Sequence, residues 1–440
     1  MSFPRYPAYK DSGVPWLGEV PAHWEVMYLK RDIEFVTSGA RGWAENYADD
    51  GDLFIRIGNL TRDSIQLDLS DIQRVVVPES AEVARTQVQA GDVLFSITAY
   101  LGSVAVVPDG LGRAFVSQHV ALVRPQGNRL LSNWIAYVSL SHVGKTRLET
   151  LGYGGTKVQL SLVDVSSLLI PAPPIYEQAA LLQFLDRETA KIDALVAEQE
   201  KLITLLKEKR QAVISHAVTK GLDPTVPTKD SGVAWLGEVP AHWRVAQFRR
   251  HVYIAEGQVD PESADFREMI LIAPNHVESS TGQILGLETA EQQSAESGKY
   301  VCKAGDVIYS KIRPALRKVC LAPSECLCSA DMYPLRPYSG LASEFLLWFM
   351  LSEQFSSLAV LESERVAMPK INRETLNEVM IVVPPIDAQT AIVDFLDGST
   401  AKFDALVAEA QSAITLLQER RTALISAAVT GQIDVRQVSP

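Results

Sequence analysis

Two long heptad stretches dominate the pattern of apolar and polar positions. In the first, one seam runs Leu185, Ile192, Gln199, Leu206, Val213 and a second runs Leu181, Glu188, Leu195, Leu202, Lys209. The spacing recurs later as Leu396, Phe403, Ala410, Leu417, Leu424, with Ile392, Ser399, Leu406, Ala413, Arg420 beside it. Pro171, Pro173 and Pro174 precede the first stretch, Gly221 follows it, and neither residue type interrupts it. At about 1.5 Å per residue this predicts a helix roughly 65 Å long. Sustained heptads in two such helices predict a coiled coil; two amphipathic helices in a bundle are the plainer alternative.

The remaining sequence changes period. Short runs rich in branched residues, Leu53–Ile57, Val75–Val77, Val93–Ile97 and Val104–Val107, are separated by Gly, Asp and Pro and predict strands. The longest apolar run, Phe345–Leu351, is far too short to span a bilayer.

Internal repetition organises these elements. Residues 10–26 read KDSGVPWLGEVPAHWEV and residues 229–245 read KDSGVAWLGEVPAHWRV, differing only at Pro15/Ala234 and Glu25/Arg244. Residues 173–223 align without a gap to 384–434, with 30 of 51 positions identical. Between these repeats lie unlike segments with faint kinship. Ala90-Gly91-Asp92-Val93 matches Ala304-Gly305-Asp306-Val307, Val123-Arg124-Pro125 matches Leu335-Arg336-Pro337, and Asn59 in RIGNL resembles Asn275 in IAPNH. The expected division is a repeat segment 1–26, a variable domain 27–170, a helix 171–224, a second repeat segment 225–245, a second variable domain 246–381 and a second helix 382–440. The predicted fold class is mixed α/β: two globular α/β domains separated by an antiparallel two-helix coiled coil. The helices are set antiparallel because two like units in one chain tend to be related by a two-fold axis.

Composition adds bounds. The 440 residues hold 47% hydrophobic and 21% charged residues, ordinary for a soluble globular chain. Only four cysteines occur, Cys302, Cys320, Cys326 and Cys328, too clustered for a disulfide framework and suited to a reducing cytoplasm. The N-terminus lacks an apolar signal core. No phosphate-loop, dinucleotide or HExxH motif is present, and Cys326 and Cys328 make only a C-x-C. Gly152-Tyr153-Gly154-Gly155 opens no helix that would cradle a phosphate. His23 and His242 repeat beside Trp24 and Trp243 without an acid or nucleophile in fixed register, so packing or capping outweighs catalysis. No cofactor, metal or catalytic residue is expected.

The DSGVPWLGEVPAHW segment, the helix starts PPIYEQAALLQFLD and PPIDAQTAIVDFLD, and MPKINRETL before the second helix resemble specificity subunits of type I restriction–modification systems. The resemblance covers essentially the whole chain. The first half departs from it where MPKINRETL becomes KVQLSL at 157–162. It implies a non-catalytic protein whose variable segments are target recognition domains, each reading half of a split target on double-stranded DNA. It further implies two methyltransferase subunits docked on the helices and a restriction motor–nuclease subunit. The expected docking residues are Trp16, Trp24, Trp235, Trp243, Phe184, Leu195, Leu206, Phe395, Leu406 and Leu417.

The net charge of −12 argues against a free-standing non-specific DNA binder and directs attention to local basic patches. Lys311, Arg313, Arg317 and Lys318 make one; the matching SITAYLGSV at 96–104 has no charge, with Lys145, Arg147 and Lys157 as replacements. Arg reads guanine and Asn or Gln reads adenine in the major groove. The remaining candidates are therefore Arg56, Asn59, Arg62 and Gln118 in the first domain, and Asn275, His276, Lys370 and Asn372 in the second. Asn59 and Asn275 could instead be turn residues. A coiled-coil scaffold joining two proteins without touching DNA is the alternative from another class.

Overall fold

The computed structural model describes residues 4–437 apart from 40, 79–81, 155–157 and 364–368. The chain forms two compact units, residues 1–199 with 412–440, and residues 200–411. Two helices pass through both, α1 (Ile175–Lys220) and α2 (Ile386–Val429).

In the first unit an antiparallel sheet runs Ile33–Ser38, Val120–Pro125, Val93–Ser96, Val104–Val106. A second sheet runs Ala114–Val116, Asp52–Ile55, Gln73–Val75, Tyr47–Ala48, with its first pair parallel. The helix Ser132–Leu140 is buried along most of its length, with Trp134 donating to the Pro171 carbonyl at 2.7 Å. One core joins this head to the repeat segment and the helices, through Trp24, Met27, Phe95, Trp134, Leu181, Leu185, Ile425 and Ala428.

The second unit repeats the plan. Its antiparallel sheet runs Val252–Ile254, Met332–Pro337, Val307–Ser310, Val319–Leu321. Its other sheet keeps the parallel pair, Leu271–Ile272 beside Cys326–Cys328, and differs in the outer strands. Phe345 and Phe349 join Trp243, Ile214, Ala217 and Leu396 in its core. All four cysteines are free and buried, and burial pushes the Cys320 thiol up to about 12, so they serve as apolar filling.

The predicted pairing of the helices holds in direction and slips in detail. In the first unit Arg421 of α2 lies 2.9 Å from Asp193 of α1; in the second Arg210 of α1 lies 2.9 Å from Asp404 of α2. Rising numbers on α1 therefore meet falling numbers on α2, which is antiparallel. The first seam, Leu185 to Val213 and Leu396 to Leu424, is turned inward. The second is Thr189, Val196, Ile203, Arg210, Ala217 and Thr400, Val407, Ile414, Arg421, Ala428, one residue C-terminal to the expected line. Leu195, Leu202 and Leu406 lie off that seam and are over two-fifths exposed.

The surviving identities are fastenings. Gln178 accepts from the Leu131 N–H and donates to the Arg129 and Pro173 carbonyls; Gln389 does the same with Ala342, Gly340 and Pro384, all within 2.7–2.9 Å. Asp186 accepts from the Tyr137 hydroxyl at 2.7 Å and Asp397 from the Trp348 indole at 3.1 Å. Asp92 takes a bidentate bond from Arg124, and Asp306 takes one from Arg336, at 2.7–2.9 Å. This pair explains why the Ala-Gly-Asp and Arg-Pro fragments outlasted the sequence around them, because losing the arginine strands a buried carboxylate.

Candidate nucleic-acid interface

The loop after strand Val307–Ser310 shows how each head builds its variable face. In the second unit Arg313 donates its backbone N–H to Pro369, and Ile371 donates to Lys311. In the first, Ala99 donates to Val158 and Leu160 to Ile97. Ala99 thus stands where Arg313 stands, both at positive φ (61° and 47°), and Gln159 stands where Lys370 stands. Arginine at this φ carries backbone strain of roughly 1 kcal/mol.

Of the basic run, Lys311 sits 5.0 Å over the Tyr333 ring, Arg317 bonds Ser356 at 2.8 Å and pairs with Glu353, and Lys318 donates to the Pro274 carbonyl at 2.6 Å. Arg313 is exposed, has no side-chain partner among the described residues, and adjoins exposed Lys370. The first unit is neutral at the same place. Tyr100, Tyr153 and Gln159 are exposed there, three residues missed from the sequence because nothing in their type or spacing marks them as surface neighbours.

The cation has moved across a contact. Gly102 occupies the position of Arg317, and a Cβ there would lie 3.0 Å from the Lys145 side chain. Lys145 in turn occupies the position of Ser356 on the following helix. Its ammonium donates to the Arg62 carbonyl, and burial, with the Arg62 guanidinium beside it, pulls its pKa below the ordinary lysine value. Arg62 pairs with Glu149 at 2.6 Å, Arg147 is half-buried on the same helix, and exposed Gln118 touches His119 at 3.2 Å.

Several expected residues have other work. Asn59 is buried: its oxygen accepts from the Arg56 N–H at 2.9 Å and its amide donates to the Asp68 and Asp71 carbonyls at 2.8 and 2.9 Å. Arg56 itself pairs with Asp71 at 3.0 Å. The counterpart of Asn59 is His276, whose Nδ1 accepts from the Ala273 N–H at 3.2 Å, and not Asn275, which is exposed. The sequence match was displaced by one residue. Asn59 and His276 are turn clamps with their polar atoms spent inside the domain. Asn372 caps the helix Arg373–Glu378 by accepting from Thr375 at 2.7 Å. Lys157 lies outside the described residues.

Docking residues divide in the same way. Trp24, Trp243 and Phe184 are interior, which removes them as a free surface. Trp16, Trp235, Leu206 and Leu417 are half-buried. Leu195, Leu406 and Phe395 remain exposed, joined by Leu202, Leu205 and Leu416. Among the described residues no His, Cys, Asp or Glu cluster is poised to hold a metal, and no helix is long and apolar enough to cross a membrane.

Each unit thus carries a head with its own loops, fastened to the helix pair. The chain belongs to the type I restriction modification DNA specificity domain family, whose model matches residues 21–205 and 268–415. It is 29% identical over 297 residues to the specificity subunit of the type I restriction enzyme EcoDI from Escherichia coli, across 64% of this chain and 66% of that protein. It thus spans just under two thirds of that relative's length. Its fold resembles a chain from a structure titled as the basis of complex assembly and conformational transition of the type I R-M system (TM-score 0.72, 19% identity, 94% of this chain and 99% of that one). It also resembles the HsdS subunit from Thermoanaerobacter tengcongensis (TM-score 0.53, 17% identity, 94% and 98%).

Proposed function

We propose that this chain reads an asymmetric, two-part DNA target with its two heads, and docks methyltransferase subunits along the exposed leucines of α1 and α2, catalysing nothing itself. The observation that carries the reading is the contrast at one loop position: Arg313 with Lys370 in one head, Ala99 with Gln159 in the other, on a shared skeleton. Unlike side chains on like scaffolds suit two unlike half-sites, because base edges are told apart by donor and acceptor pattern. Half-sites roughly 10 bp apart, centre to centre, fit reading from one side of the duplex. Arg313 is the foremost base-reading residue, and Tyr100 and Gln159 take its place in the first head. The unpaired leucines supply apolar surface for a partner, as interface cores require. Sequencing methylated adenines in the host with and without this gene tests the reading: a two-part motif should vanish on deletion, and its persistence would refute it. Replacing residues 27–170 with another such head should change one half of the motif and leave the other.

A further inference from the structure

In each unit one largely covered arginine ties the helices to a loop of the head. Arg421 pairs with Asp193 and also donates to the Asp63 carbonyl. Arg210 pairs with Asp404 and donates to the Ser280 carbonyl at 2.9 Å. The four side chains are repeat equivalents, and Asp63 and Ser280, four residues past the counterparts Asn59 and His276, are different residues at the same loop position. The acceptor is backbone, so the contact survives any change of loop sequence that preserves the turn. The carboxylate on the facing helix holds the guanidinium, leaving its other N–H groups directed at the loop; a planar fork can serve both and an ammonium cannot.

Each head is fastened to both helices. Gln178 and Asp186, or Gln389 and Asp397, hold the side carrying the helix Ser132–Leu140 or Ser343–Leu351. A single line of attachment would let a head rock about it. The arginine comes from the other helix of the pair, beside Ser426 or Ser215, which accept from the His142 and Glu353 N–H groups at 3.2 and 2.9 Å, and its reach to a loop of the head's second sheet fixes the tilt.

We propose that Arg421 and Arg210 are positioning residues that set the tilt of each head on the helix pair, and thereby the number of base pairs permitted between the half-sites. This rests on the two-part target reading. Methylation mapping in cells carrying the complete complex tests it, with Arg421→Gln, Arg210→Gln and, should either fail to fold, Arg421→Lys and Arg210→Lys, which keep the ion pair and lose the second arm. Both half-site sequences should persist, while methylation at spacers one base pair longer or shorter rises about tenfold, the effect of losing one charge-assisted bond. An unchanged spacer preference, or a fall in methylation shared equally by all spacers, would overturn the inference. Absence of any two-part motif with the unaltered protein would instead overturn the target reading beneath it.

Discussion

The repeat segments Lys10–Val26 and Lys229–Val245 are nearly the same peptide, yet they lie in different surroundings. In the first unit the Trp24 indole donates to buried Glu177 at 2.9 Å, His23 meets the same carboxylate at 2.8 Å, and the Tyr6 hydroxyl completes the set. Burial, followed by the bond to Glu177, raises the Tyr6 phenol. In the second unit Ala388 replaces Glu177 and Thr225 replaces Tyr6, leaving an open pocket of about 190 Å³ lined by Leu222, His242, Trp243, Ala388 and Ile392. Identical segments therefore do not make identical collars; what the helix offers them decides.

The largest expected effect comes from emptying the filled collar. Glu177→Ala leaves Trp24 and Tyr6 with buried donors and no acceptor, at a cost on the order of 3 kcal/mol. Hydrogen exchange should show lost protection at residues 6–24 and 171–182 and none at 225–243. Equal loss in both regions would mean that the collars are not independent.

Filling the empty collar should act more gently in the opposite direction. Thr225→Tyr with Ala388→Glu supplies the ring and the acceptor that the first unit already has. Burying the ring should gain roughly 1 kcal/mol after the loss of the Thr225 bond to Asp223. A higher urea midpoint at unchanged slope is the expected result. A midpoint that stays or falls would show that the pocket cannot close on a ring.

Glu177 against Ala388 was visible in the alignment as a mismatch, but not its meaning, because the partners Tyr6 and Trp24 lie more than 150 residues away. What was legible was what period and punctuation encode: the helices between Pro174 and Gly221, their direction, and strands placed within two residues. The second heptad seam was misplaced because Leu195 and Leu202 are more apolar than the residues that truly face inward, Thr189 and Arg210. Arg210 was hidden as an interior residue because its charge is answered by Asp404 on the other helix. The recognition face was least legible. Residue type identified cations, but not that Lys311, Arg317 and Lys318 are held by Tyr333, Ser356 and Pro274 while Arg313 has no side-chain partner among the described residues.

The smallest contrast lies where each collar meets the end of a long helix. Asp434 accepts from the Arg436 guanidinium at 2.7 and 2.8 Å, and its own N–H donates to Pro4 at 2.8 Å; among the described residues the Asp223 carboxylate accepts from Thr225 alone. The Arg436 bond holds the Asp434 carboxyl below the usual range, and Thr225 does the same for Asp223 without a charge. A carboxylate depressed in the folded state contributes stability above its unfolded pKa of about 3.9 and loses it as pH falls through the folded value. Arg436→Gln should therefore destabilise the first unit by roughly 0.5 kcal/mol near neutral pH, since Arg436 is partly exposed and screened. The difference from the unaltered protein should shrink to nothing as the pH falls through the lowered folded value. Added salt should reproduce the neutral-pH loss in the first unit and leave the second, which has only Thr225 at that place, unmoved. Melting curves across pH that stayed parallel down to the lowest value would show that Arg436 acts through packing on the Tyr6 ring, 4.8 Å away, and not through charge.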